Sequence, residues 1–238
     1  MLDTLNQIDT SVFLFFNGMH TLFFDKFMML FTGRFIWIPM YAAILLVIIK
    51  TFGLKKAGIY VIAIALAITL TDQTCATIIR PVVERLRPSN LENPLSALTT
   101  VVNDYRGGSY GFPSCHSANS FALAMTLTCI FQYRKLSLFI FIWALINSYT
   151  RLYLGVHYPG DLLIGAIIGM CYGFLCAWLA RLCDTNYRNA IASKNVTAPL
   201  FTLKFKKQNG TLAISAVDVM LATATIIILY ILVAASIA

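Results

Sequence analysis

The stretch Ala57-GIYVIAIALAITLTDQTCATI-Ile79 decides the fold. It holds one acidic residue, Asp72, and no Lys or Arg. An α-helix needs about 20 mainly apolar residues to cross a hydrocarbon core ~30 Å thick, and this stretch is long enough. Five more runs of the same kind lie near Phe27–Ile49, Ser114–Tyr133, Leu136–Tyr149 (extending towards Leu154), Tyr158–Leu182 and Thr211–Ala235. The chain therefore reads as all-α, a six-transmembrane helical bundle. Composition agrees. Hydrophobic residues make up 59% of the 238 and charged ones 12%, against about 45–50% and about 25% in an average soluble domain. That excludes a soluble enzyme and a disordered chain.

Ahead of the first run, Leu2, Leu5, Ile8, Val12 and Phe15–Phe16 recur at helical spacing, with Asp3, Asn6, Gln7 and Asp9 on the other face. This predicts an amphipathic helix over residues 1–26, lying in the interface or packed on the bundle. Residues 27–182 form a five-span core, 183–210 a basic loop, and 211–238 the sixth span. Residues 1–24 carry no Lys or Arg, so the basic start of a secretory signal is missing and the first span is expected to direct insertion.

Six spans sort the loops onto two sides. Lys50, Lys55, Lys56, Arg134, Lys135, Arg181, Arg188, Lys194, Lys204, Lys206 and Lys207 fall on one of them, eleven of the 18 basic residues. By the positive-inside rule that side is cytoplasmic. The net charge of +8 thus reports orientation in the membrane, and its scatter between apolar runs argues against nucleic-acid binding. The sequons Asn195-Val196-Thr197 and Asn209-Gly210-Thr211 fall on the cytoplasmic side and are expected to carry no glycan. The six cysteines form no CxxC pair and read as small apolar residues rather than disulfide or zinc partners.

Polar residues gather on the opposite side. Two of the three histidines, His116 and His157, stand at loop–helix junctions there, beside Arg80, Arg87 and Arg151. Clustered Arg suits forked recognition of phosphate oxygens. Pro113 and Pro159 mark helix starts, and Ser114 offers a hydroxyl at one of them; such ends receive anions. His157 and Asp161 are four apart and share a face if helical. A carboxylate on one ring nitrogen leaves the other free to attack. Arg85 and Arg106 are expected to reach lipid headgroups only, Trp37 and Tyr41 to pack or anchor, and Asp72 to be paired inside the bundle.

Three segments together resemble the signature of the type 2 phosphatidic acid phosphatases, the superfamily that includes the vanadium haloperoxidases. Arg80-PVVERL-Arg87-Pro88 fits KxxxxxxRP with Arg in the Lys slot. Pro113-Ser114-Cys115-His116 fits PSGH with Cys in the Gly slot. Thr150-Arg151-LYLGV-His157-YPG-Asp161 fits SRxxxxxHxxxD with Thr in the Ser slot. Order and spacing agree over residues 27–182. The resemblance implies a bacterial membrane lipid phosphatase that needs no cofactor or metal and forms a phosphohistidine. His157 would attack phosphorus, Asp161 would orient it, and His116 would serve as acid and then base. Arg80, Arg87, Ser114, Cys115 and Arg151 would line the phosphate site.

Three substitutions depart from the pattern. Arg80 puts a fork where an ammonium is usual, Thr150 keeps a hydroxyl, and Cys115 lacks the positive φ and close backbone approach a glycine allows. Cys115 as nucleophile would call for Arg at 121, where Phe121 stands. The expected partners are the bilayer and a lipid substrate, with the site facing the periplasm from the inner membrane. The expected order is isoprenyl (undecaprenyl) diphosphate first, then lipid A phosphate, phosphatidylglycerophosphate or phosphatidic acid. Two other readings are a lipid phosphotransferase on the same scaffold and a transporter or flippase. The latter predicts repeated halves with paired broken helices, and no repeat is visible.

Overall fold

A computed structural model describes residues 2–184, 202–207 and 210–237. Helix α1 (Leu2–Asn17) and α2 (Leu22–Phe31) precede α3 (Ile38–Phe52). Then come α4 (Leu54–Gln73), a π-helical stretch Thr74–Ile79 and α5 (Arg80–Val83), followed by a long loop and α6 (Cys115–Phe131), α7 (Arg134–Tyr153) and α8 (Pro159–Cys183). Strands β1 (Thr202–Lys207) and β2 (Gly210–Ser215) pair antiparallel, Thr202 opposite Ser215, before α9 (Ala216–Ser236). Among the described residues five helical stretches are long and apolar enough to cross a membrane. They are Phe35–Phe52, Leu54–Val83, Arg134–Tyr153, Pro159–Cys183 and Val217–Ser236. The protein is an integral membrane protein, and its membrane-embedded part is helical.

Several bounds differ from those expected. The expected run Phe27–Ile49 is two helices. Residues Thr32–Arg34 interrupt it and a 3-10 turn Phe35–Trp37 follows. Pro39 in the first turn of α3 has no N–H to continue a helix from upstream, and the Trp37 indole caps the free Phe31 carbonyl at 2.8 Å. The expected N-terminal segment likewise holds the end of α1 and the start of α2. The last helix begins at Ala216, because Gly210–Ser215 pair with β1. Much of the expected basic loop and both sequon asparagines, Asn195 and Asn209, lie outside the described residues.

Helix α6 sits at the centre, packed on α8, α4 and α7. At 17 residues it is shorter than the stretches above. Its closest neighbour is α8, where Gly165, Gly169 and Gly173 recur every four residues. A Cβ on Gly169 would lie 2.0 Å from the Ala118 carbonyl oxygen, and on Gly165 2.5 Å from that of Ser114. Lipid supplies no hydrophobic drive between helices, so close van der Waals approach over small residues does the joining. Gly169→Val is therefore expected to prevent assembly of the native bundle. In a thermal unfolding scan in detergent it should show no cooperative transition, whereas Gly58→Val, with open space around it, should keep the transition.

The outward faces are apolar, with Ile62, Leu138, Leu163 and Leu229 all more than half exposed. Helix α1 exposes Leu5, Ile8, Val12 and Phe15 and turns Phe13 and Asn17 inward. Asp3, Asn6 and Gln7 stay exposed, while Asn17 bonds the Tyr153 carbonyl at 2.9 Å and both polar backbone atoms of Thr100. At the far end of the bundle Lys56 and Asp184 pair at 2.6 Å and tie the start of α4 to the end of α8.

Candidate active site

The candidate residues converge at one end of the bundle from five places in the chain. Arg80 follows the π-helical stretch. Widening the helix there re-aims the side chains beyond it, as π-bulges often do near functional sites. Arg87 lies in the loop after α5. Ser114 caps α6, and Cys115 and His116 form its first turn. Arg151 ends α7, and His157 and Asp161 bracket the start of α8.

His157 and Asp161 are almost fully buried, at 2% and 0% exposed. Asp161 Oδ2 accepts from the Tyr158 backbone N–H at 3.0 Å and faces His157 Nδ1 at 3.3 Å. Arg87 Nη1 lies 3.1 Å from His157 Nε2. A guanidinium can only donate, so Nε2 presents its lone pair and Nδ1 carries the hydrogen towards Asp161. Burial holds the His157 imidazole well below its ordinary pKa, with Arg87, Arg151 and Arg80 adding to the effect. A histidine so placed is uncharged through the weakly acidic range. At pH 6 its ¹⁵N resonances should report the neutral Nδ1–H ring, while an ordinary histidine, with a pKa near 6.5, is mostly charged. A charged signal there would contradict the geometry.

Arg87 also donates to the carbonyls of Tyr110 at 3.1 Å and Val156 at 3.3 Å. Burial, with Arg151 and Arg80 nearby, lowers its pKa to about 10. Arg80 donates to the Pro113 carbonyl at 3.0 Å and to Cys115 Sγ at 2.9 Å. Arg151 donates to Thr32 Oγ1 at 3.1 Å and to Tyr105 Oη at 2.8 Å. Among the described residues Arg80 Nε and Arg151 Nε are buried with no hydrogen-bond partner. Buried donors are nearly always satisfied; three like charges with donors to spare make a site that calls for a polyvalent anion.

His116 faces Asn147 Oδ1 through Nε2 at 3.0 Å and Thr32 Oγ1 at 3.4 Å. Asn147 Nδ2 donates to Ser120 Oγ, so its oxygen is the group facing His116, and His116 Nε2 carries a hydrogen. Arg80, Arg87, Cys115, His116, Arg151 and His157 line one cavity of about 1120 Å³, with Thr32, Tyr105 and Asn147, while Ser114 and Asp161 lie buried behind it. Its inner part is apolar, lined by Ile44, Leu45 and Ile48 of α3 and Val61, Ile64 and Ile68 of α4. From Trp37 to Ile48 it follows α3 for about 16 Å at 1.5 Å per residue, roughly one leaflet of a ~30 Å core.

Two expectations change. Cys115 stands in the helical first turn of α6, where φ is negative, so that position does not require glycine. Cys115→Ser is accordingly expected to stay within about tenfold of the native rate in a phosphate-release assay, the hydroxyl still accepting from Arg80. Arg85, expected at the headgroups, instead bonds Asp161 Oδ1 at 2.9 Å and Asp9 Oδ2 at 2.7 Å. Asp72 is paired, as expected, through Asn119 Nδ2 at 3.0 Å, and its side chain also lines the cavity.

Sequence reasoning passed over Thr32, Tyr105 and Asn147. Only Asn147, a polar residue inside the run before Tyr149, carried a signal that could have been read. His20 pairs with Asp25 at 2.7 Å and Tyr153 donates to the same oxygen; this trio braces α2 against α7.

Residues 56–184 match the model of the PAP2 superfamily. The chain belongs to that superfamily. A lipid A 4'-phosphatase of Bacteroides thetaiotaomicron is 58% identical over 181 residues, 76% of this chain and 80% of that one. A lipid A 4'-phosphatase of Porphyromonas gingivalis is 30% identical over 167 residues, 70% of each. In fold, the chain superposes on the PAP2-type phosphatidylglycerolphosphate phosphatase of Bacillus subtilis with a TM-score of 0.59 at 16% identity, covering 76% and 89%. This PAP2 protein is a hydrolase, a membrane phosphatase.

Proposed function

We propose that this PAP2 enzyme removes a phosphate from a lipid A-type glycolipid through a phosphohistidine on His157. The observation that carries the reading is a neutral, Nδ1–H histidine under three arginines, at the head of an apolar cavity one leaflet deep. The 58% identity to a lipid A 4'-phosphatase moves lipid A phosphate ahead of the isoprenyl diphosphate expected first.

Phosphoryl transfer asks mainly for positioning and charge stabilisation. The phosphate enters below Arg80, Arg87, Arg151 and Ser114. Arg87 gives up His157 Nε2 for a phosphate oxygen, which frees the lone pair. The Nε2–P bond forms as the P–O bond to the lipid breaks, and His116, which takes up a second proton at Nδ1 with the anionic substrate and keeps Nε2–H on Asn147, gives the Nδ1 proton to the leaving oxygen. Asp161 holds the Nδ1 hydrogen and stabilises the charge on the ring. Water then attacks phosphorus with His116 taking its proton, the Nε2–P bond breaks, and inorganic phosphate leaves. No step needs a metal.

The apolar inner cavity holds an acyl chain. A tail passing from bilayer to groove gains little hydrophobic free energy, since lipid is already apolar; the groove sets which chains fit, and the arginines supply affinity. In this reading α6 completes six spans, and α1 lies at the interface with Leu5, Ile8, Val12 and Phe15 in the lipid. The catalytic end faces the periplasm from the inner membrane.

The test is phosphate release by purified protein, in detergent with EDTA, from a panel of lipid A, undecaprenyl diphosphate, phosphatidylglycerophosphate and phosphatidic acid. Lipid A should be cleaved fastest, and vanadate should inhibit. Preference for the isoprenyl diphosphate would overturn the substrate, and loss of activity with EDTA would overturn the metal-free mechanism. Appearance of the phosphate on an acceptor lipid instead of in solution would mark a phosphotransferase.

A further inference from the structure

Asp161 uses one carboxylate oxygen on His157 and the Tyr158 N–H. Its other oxygen is held by Arg85, which stands at one of the unspecified positions between Arg80 and Arg87 of the first motif. Arg85 Nη1 donates to Oδ1 at 2.9 Å, and Arg85 Nη2 meets Asp9 Oδ2 at 2.7 Å. The guanidinium lies 3.8 Å over the Tyr158 ring. Asp9 Oδ1 accepts from the Gly160 N–H at 2.7 Å, a free donor of the first turn of α8. A Cβ on Gly160 would come within 3.0 Å of that carboxylate. The four groups Asp9, Arg85, Asp161 and His157 thus form one chain, running from the N-terminal helix to the imidazole.

From this we infer that Arg85 and Asp9 are positioning residues for the phosphohistidine chemistry, and that helix α1 completes the active site through them. The inference rests on the reading of His157 as nucleophile.

A fully buried carboxyl keeps its charge only beside a hydrogen-bonded cation. Around Asp161 and His157 the charged and titratable groups are Arg85 and Arg87 of the loop after α5, Arg80, Arg151 of α7, His116 of α6, Tyr158 and Asp9 of α1. Among the described residues Arg85 is the one arginine bonded to the Asp161 carboxylate. Without it the carboxyl takes up a proton and donates to His157 Nδ1. The ring hydrogen then moves to Nε2, the nitrogen that must attack, and the lone pair is lost. Tight ion-pairing by Asp9 fixes the fork so that one guanidinium serves both acids. A Lys point charge cannot bridge them in the same way.

The test uses full-length protein in detergent with ¹⁵N-labelled histidine, the His157 signals being identified by their loss in His157→Gln. In the native protein at pH 7 they should show the Nδ1–H form. Arg85→Gln should show a substantial Nε2–H population, a kcat on lipid A reduced about 30-fold or more with KM within about threefold, and a deficit that shrinks as pH rises, because base favours the carboxylate. Arg85→Lys should restore part of kcat. Asp9→Asn should cost about fivefold in kcat, and nothing more when added to Arg85→Lys, since the shared fork is already gone.

An unchanged tautomer in folded Arg85→Gln, or an equal loss at every pH without rescue by Lys, would overturn the inference. Should Arg85→Gln not fold, the same tautomer and kcat readouts on Arg85→Lys and Asp9→Asn decide it. A native enzyme inert on every lipid phosphate would instead defeat the functional reading, and the tautomer measurement would still decide the role of Arg85.

Discussion

His157→Ala should abolish turnover, with kcat down by about 10⁴ or more, while the protein keeps its native thermal transition. The expectation follows from where the ring sits. It is 2% exposed and touches Asp161 and Arg87. Its Nε2 is presented to the arginine-lined cavity with a lone pair that Arg87 reveals by exchanging it for a phosphate oxygen. No neighbour can take its place. Cys115 Sγ accepts from Arg80, and His116 is committed through Nε2 to Asn147. Truncation leaves a small void at the cavity wall, which costs little in stability compared with a core cavity. Retained activity in a folded His157→Ala protein would remove the nucleophile from the account.

Arg87→Ala should come next, with a loss in kcat/KM on the order of 10³, about 4 kcal/mol of transition-state stabilisation. This side chain has two tasks. It braces the Tyr110 and Val156 carbonyls, which shapes the loop holding His157. It also supplies the donor nearest Nε2, where negative charge builds on the transferring phosphoryl group. Burial first, and then the repulsion of Arg151 and Arg80, lower its pKa to about 10. A phosphate relieves that repulsion, so the protein should gain thermal stability on adding vanadate or phosphate. Arg87→Lys should restore a minor part of the rate, since an ammonium cannot serve two carbonyls and a phosphate oxygen together. Near-native kcat/KM in Arg87→Lys would show that charge alone suffices.

Much of this arrangement was legible in the chain. Apolar length located α4, α7 and α8, because a helix in lipid must be apolar over its span, and that constraint is local. The three motifs named Arg80, Arg87, Cys115, His116, Arg151 and His157 at the cavity, though not Thr32 at the end of α2. What stayed hidden depended on contacts far apart in sequence. Nothing near Asp9 says that it meets Gly160 and Arg85. Arg85, beside two other arginines in a loop at the membrane face, has the look of a headgroup contact until Asp161 is seen beneath it. The break at Thr32–Arg34 was missed because long apolar runs flank these three residues on both sides; Gly33, Arg34 and Pro39 were the clues. At Cys115 the difficulty was of another kind. A motif glycine invites a reading of positive φ, yet the backbone there is an ordinary helical first turn.

The central claim is a covalent phosphate on His157. The most direct measurement is a rapid acid-free quench of the enzyme with lipid A carrying ³²P at the 4'-phosphate, followed by peptide mapping. A label that is stable in alkali, released by mild acid and located on the peptide holding His157 is the predicted result, and it should be absent from His157→Ala. An acid-stable label, a label on Cys115, or one that persists without His157 would contradict it.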